Sequence, residues 1–190
     1  MKNKDNLRHF SRRSFIGCLS GLAAGARLMG AAKPPLKSND KQKKNLYDPL
    51  TPEEEKIINA SEMAKEIVKR PAKGFSCAGA ILASALKYMA KPENIADAAA
   101  AFGGGIGHKD LCGFLTGGIM AIGIAAGMKH KERKEMKAHA RKLTKEFWAW
   151  WKSMAPLHCH ELSPNYNKEG FYNMAKRVAV KIETLIDIQK

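Results

Sequence analysis

From Thr51 onward apolar residues recur at intervals of three and four, and no stretch sustains the alternation of a strand. Ile57, Met63, Ala64, Ile67 and Val68 mark one face of a first helix. Thr51-Pro52-Glu53-Glu54 opens it as a capping box with proline at its first position, and Arg70-Pro71 closes it. A second helix is predicted over residues 76–90, carrying Cys77, Ile81, Leu82, Ala85 and Met89. A short alanine-rich helix over 92–102 ends at Gly103-Gly104-Gly105-Ile106-Gly107. Residues 113–128 are apolar on all sides, which describes a central helix wrapped by others. That stretch falls short of the ~20 residues a bilayer span requires.

Residues 131–154 are strongly amphipathic: Met136, Ala140, Leu143, Phe147, Trp150 or Trp151, and Met154 line one face, and basic charge covers the other. Phe147, Trp150 and Trp151 fall on the apolar stripe, whereas Trp148 points elsewhere and is a candidate contact for a partner or a second copy of the chain. A loop over 156–164 leads to a last helix striped by Phe171, Met174, Ala175, Val178, Ala179, Ile182, Leu185 and Ile186. The expected fold is all-α, a compact array of five or six helices.

The region before Thr51 reads differently. Ser11-Arg12-Arg13-Ser14-Phe15-Ile16-Gly17 follows a basic start and leads into a mildly apolar stretch ending in small residues, the pattern of a twin-arginine export signal. Cleavage is expected after Ala32, placing the signal at 1–32, a flexible linker at 33–50 and a helical cysteine-containing domain at 51–190. The expected location is the periplasm or the outer face of the cytoplasmic membrane. Cys18 lies too early in the apolar stretch to be a lipid-attachment site.

Of the 33 Lys and Arg and 18 Asp and Glu, the signal holds six and one, so the mature chain keeps 27 against 17 and a net charge of +10. A solvated lysine-rich surface accounts for most of this. An exported chain meets anionic lipid head groups or an acidic protein rather than nucleic acid.

Export also changes the reading of the cysteines. The mature chain keeps Cys77, Cys112 and Cys159, an odd number in a compartment where paired thiols oxidise. Cys77 and Cys112 fall where helices begin, and free amides and the helix dipole favour a thiolate there. Cys159 lies in the loop, flanked as His158-Cys159-His160. Brought together, three thiolates and a histidine could hold zinc or an iron–sulfur cluster. The separations of 35 and 47 residues match no local metal signature, so buried, chemically inert thiols remain an alternative. His108 stands four residues before Cys112, while His130 and His139 belong to the lysine-rich face.

Phe75-Ser76-Cys77-Ala78-Gly79-Ala80-Ile81-Leu82, the glycine loop, Leu111-Cys112-Gly113-Phe114-Leu115-Thr116-Gly117-Gly118 and Cys159-His160-Glu161-Leu162 together resemble the C_GCAxxG_C_C family of redox-active proteins. The likeness covers roughly residues 52–190 and extends to the cysteine domain of the exported split-Soret cytochromes, which carry haem and an iron–sulfur cluster. The resemblance implies a cysteine-ligated redox centre. It also implies a further cysteine near the start of the last helix, where this chain has Phe171-Tyr172-Asn173. Either His158 or His160 then completes the site, or the site is degenerate.

No C-x-x-C-H sequence occurs, so covalent haem is not expected. The glycine loop, Gly103, Gly104, Gly105 and Gly107 with Gly113 beyond it, follows a helix rather than a strand, which argues against nucleotide binding. Its expected role is a tight turn that brings backbone against Cys112. Hydrolase motifs are lacking. The leading expectation is electron transfer with a redox protein partner. The rivals are a cofactor-free helical binding module with a structural disulfide, including a homodimer, and a thiol–disulfide exchange protein.

Overall fold

Seven α-helices, joined by short turns, account for most of residues 44–187, the part of the chain that the computed structural model describes. They are α1 (Pro52–Ala60), α2 (Glu62–Ile67), α3 (Cys77–Tyr88), α4 (Gly113–Lys129), α5 (Arg133–Met154), α6 (Cys159–Leu162) and α7 (Lys168–Leu185). Among the described residues there is no strand, only an isolated antiparallel bridge between Leu111 and His158. The all-α expectation holds. The arginine pair and the expected cleavage site lie outside the described residues.

Helix α4 is the centre. It packs against α3, α5 and α7, burying Phe114, Leu115, Ala121, Ile122 and Ala126. Apolar on all sides, it is covered by neighbours over most of its surface, and the strip through Gly123, Gly127 and Met128 stays open. Among the described residues, no helix is long and apolar enough to cross a membrane.

Four local differences from the sequence reading have physical causes. The first helix is two, broken at Ser61, whose extended backbone ends α1 and whose hydroxyl caps α2 by accepting from the Ala64 amide at 3.0 Å. Glu183 on α7 fixes the break by accepting from the Ser61 hydroxyl at 2.5 Å and the Met63 amide at 2.8 Å. The break re-aims the apolar face, so Ile57 is 57 % exposed while Ile58 is buried. The alanine-rich segment Glu93–Phe102 is a 3-10 helix, not an α-helix. A repeat of three residues per turn aligns Ala96, Ala99 and Phe102 on one face against the core.

The third difference is that Trp148, expected to face outward, is half-buried against the core. Fourth, residues 44–50 are not a free linker: Leu46 is fully buried. Arg177 on α7, 6 % exposed, holds this segment in place. Its guanidinium donates to the carbonyls of Leu46 and Asp48 at 2.7 Å each and of Pro49 at 3.0 Å, and pairs with Glu54 on α1 at 2.9 Å.

The capping box at Thr51 is present, with Glu54 completing it. Hydrogen bonds from Arg177 outweigh the opposing effect of burial, and with Lys44 and the Thr51 amide they hold the Glu54 carboxyl down from 4.5 to about 2. Two predictions follow from this contact. Replacing Arg177 by Met leaves the Leu46 and Pro49 carbonyls without this donor and removes one of several partners of Glu54 and of the Asp48 carbonyl, and should cost ~3 kcal/mol in urea unfolding. A carboxyl whose folded pKa is depressed contributes its full stability above about pH 4.5 and loses it as pH falls toward about 2. Glu54 should therefore supply at most ~3 kcal/mol of that acid limb, and Glu54→Gln should flatten it.

Candidate functional site

Each of the three cysteines opens a helix. Cys77 is the first residue of α3, behind Ser76, whose hydroxyl accepts from the Gly79 amide at 3.2 Å. Cys112 is the N-cap of α4. Cys159, expected in an open loop, is the first residue of the one-turn helix α6.

Close backbone approach gathers them. Gly113 lies so near α3 that a methyl group there would overlap the Cys77 sulfur, and Gly117, one turn on, lies against the Ala78 backbone. The Cys77 sulfur therefore rests on the residue that follows Cys112. Cys159 is brought in by the Leu111–His158 bridge, in which the Cys112 amide donates to the Leu157 carbonyl at 2.9 Å and the Cys159 amide to the Asp110 carbonyl at 2.6 Å.

The glycine loop covers this junction. Gly104, Gly105, Ile106 and Gly107 all take positive φ, of 60°, 65°, 58° and 70°, forming a left-handed turn that the Asp110 amide closes onto the Gly105 carbonyl at 3.0 Å. At Gly105 a side chain would strike both the Asp110 backbone and the Cys159 Cβ. Gly103 rests on Ser76 and so joins the loop to the start of α3. Ile106 is β-branched, left-handed and 40 % exposed, a strained position that costs ~1–3 kcal/mol.

The thiols sense one another. Burial, with Cys112 only 4 % exposed, pushes the Cys112 thiol up to about 12, and Cys77 and then Cys159 add to the rise. The amides of Phe114 and Leu115 oppose it; they face the sulfur from the first turn of α4 without closing a cap hydrogen bond. Burial also raises the Cys159 thiol, Cys77 adds to it and Lys109 opposes. Cys77, Cys112 and Cys159 thus lie near enough for each to act on the charge of the others.

The histidines are placed differently. His158, partly exposed, is engaged by carboxylates on both sides, Nδ1 at 2.9 Å from Glu161 and Nε2 at 3.4 Å from Asp110. That contact with His158 keeps the Glu161 carboxyl below its usual range. His160 is exposed, and its Nδ1 donates to the Lys109 carbonyl at 3.0 Å, a tautomer that leaves Nε2 as a lone pair. The two rings stack, centroids 5.4 Å apart. His108 is exposed on the glycine loop.

Tyr166 escaped sequence reading. It lies seven residues beyond Cys159, in no pattern that marks it. The fold seats its ring between Tyr47 and Phe171, and burial together with all three cysteines, Cys159 most, pushes its hydroxyl up to about 12. Phe171 itself packs on Phe114 with centroids 5.2 Å apart. An aromatic wall therefore stands where the resemblance implied a further thiol.

The family model described as "Putative redox-active protein (C_GCAxxG_C_C)" matches residues 75–183, more than half of the chain. The chain belongs to this family. No curated protein and no solved structure matches it. All three cysteines, the glycine loop and both flanking histidines fall within the matched region.

Among the described residues, no set of three or more His, Cys, Asp or Glu side chains stands in a geometry that could hold a metal ion. The donor chemistry nonetheless suits one: three soft sulfurs at three helix N-termini, two of them thiols that burial makes harder to ionise. The loop makes a further prediction. Ile106→Gly should raise thermal stability by about 1 kcal/mol through relief of left-handed strain. Gly105→Ala, at a φ of 65° and against two neighbours, should lower stability and speed alkylation of Cys159.

Proposed function

We propose that this member of the redox-active family is exported by the twin-arginine route and carries electrons through a metal centre held by Cys77, Cys112 and Cys159, an iron–sulfur cluster foremost. The observation that carries the reading is the meeting of three thiols at the starts of three helices. As thiols, Cys112 and Cys159 are costly to ionise, since burial and their neighbours oppose each further negative charge. With a soft cation held there, Cys77, Cys112 and Cys159 would serve as thiolates, which the helix starts favour.

When bound, such a centre supplies a one-electron couple. The chain's own part is to present the ligands and exclude water. Cys112 is the buried ligand, at the core end of α4. His160 suits the fourth position better than His158, because its Nε2 is left as a lone pair while both nitrogens of His158 face carboxylates. The lysines and arginines on the outer face of α5 fit an acidic redox partner or anionic head groups.

Thiol–disulfide exchange fits less well. Its attacking group must be an accessible thiolate, and Cys112 is 4 % exposed with its thiol pushed up to about 12.

Purified without oxygen from a host that exports it, the protein should be brown and contain iron and sulfide in proportion to protein. Cys112→Ser should lose both. A colourless, metal-free wild-type protein would overturn the proposal. Replacing Arg12 and Arg13 together by Lys should hold the chain in the cytoplasm, and unchanged export on cell fractionation would contradict the twin-arginine reading.

A further inference from the structure

A second cluster of donor groups stands apart from the cysteines, at the elbow between α4 and α5. His130 is the C-cap of α4, and His139 lies two turns into α5. Their rings meet with centroids 4.9 Å apart, tilted by 49°. The Nδ1 of His130 faces the Glu135 carboxylate at 3.5 Å. Its Nε2 is buried and has no hydrogen-bond partner.

A buried, unsatisfied ring nitrogen costs ~1–3 kcal/mol and calls for an explanation. A carboxylate beside one ring nitrogen and a second imidazole packed against the ring are surroundings that suit a metal-binding histidine. His139 is itself half-buried. It lines an open cavity of about 630 Å³ together with Lys129, Leu143 and Asp187, which leaves room for water on the His139 side of a bound ion.

We propose that His130 and His139 form a second metal site, one that takes a borderline divalent transition ion such as Ni²⁺, Cu²⁺ or Zn²⁺. Imidazole nitrogens suit these ions and not the hard cations Ca²⁺ and Mg²⁺, which seek carboxylate oxygens. Lys129 and Lys142 oppose a cation at this elbow, and Glu135, Glu146 and Asp187 offset part of that charge. With two protein donors the site is an open one, its ion exchangeable. It is independent of the cysteine centre.

Anaerobic calorimetric titration of the full chain with Ni²⁺ tests this. Wild type and Cys112→Ser should share one class of sites whose affinity falls at least tenfold in His130→Gln and in His139→Gln. Glu135→Gln should weaken the same class about tenfold by releasing the His130 ring. Both histidines are partly exposed, and glutamine keeps much of their bulk, so far-ultraviolet circular dichroism should be unchanged. Wild-type Ni²⁺ affinity in both histidine variants would overturn the proposal, as would a site lost in Cys112→Ser alone.

Discussion

The contact of α3 with α4 across Gly113 and Gly117 decides where the chemistry lies. The close approach involves the first turns of both helices, so the two begin side by side. Cys77 and Cys112 open those helices, so the backbone packing that fills the core also places two sulfurs together. Any side chain at Gly113 would take the space of the Cys77 sulfur. Packing and site are therefore one constraint: a substitution that separates the helices also separates the thiols.

The third sulfur is held by hydrogen bonds. The short bridge at Leu111 and His158 brings the start of α6 beside the start of α4, and the left-handed loop passes over the join with Gly105 flat against the Cys159 Cβ. The starts of three helices are then neighbours. Their dipoles favour negative charge there, while burial of Cys112 and mutual repulsion among the sulfurs oppose it. This opposition distinguishes the site from that of a free nucleophilic thiol. Protons can satisfy it, and so can a soft cation.

Much of this was legible in the chain. The period of the apolar residues located every long helix, Thr51 and Glu54 announced the first cap, and the glycine run marked a turn with unusual backbone. What escaped depends on distant partners. Ser61 breaks a helix because Glu183, 122 residues away, accepts its hydroxyl. Residues 44–50 look too polar to fold, yet Arg177 gathers their carbonyls from 128 to 131 residues away. Tyr166 reaches the site through ring packing alone. Cys159 sits in a segment too short for helical periodicity, so its place at a helix start could not be read. The convergence of sulfurs spaced 35 and 47 residues apart is likewise a property of topology.

Arsenite offers the most direct test of that convergence, since trivalent arsenic binds three thiolates only when they can close on a single atom. With the reduced full chain, the account predicts one arsenic per protein with three sulfur neighbours by X-ray absorption, and a sulfur fewer in each of Cys77→Ser, Cys112→Ser and Cys159→Ser. Arsenic bound by two sulfurs or fewer in the wild-type chain, or not retained, would show that the three thiols do not share a site.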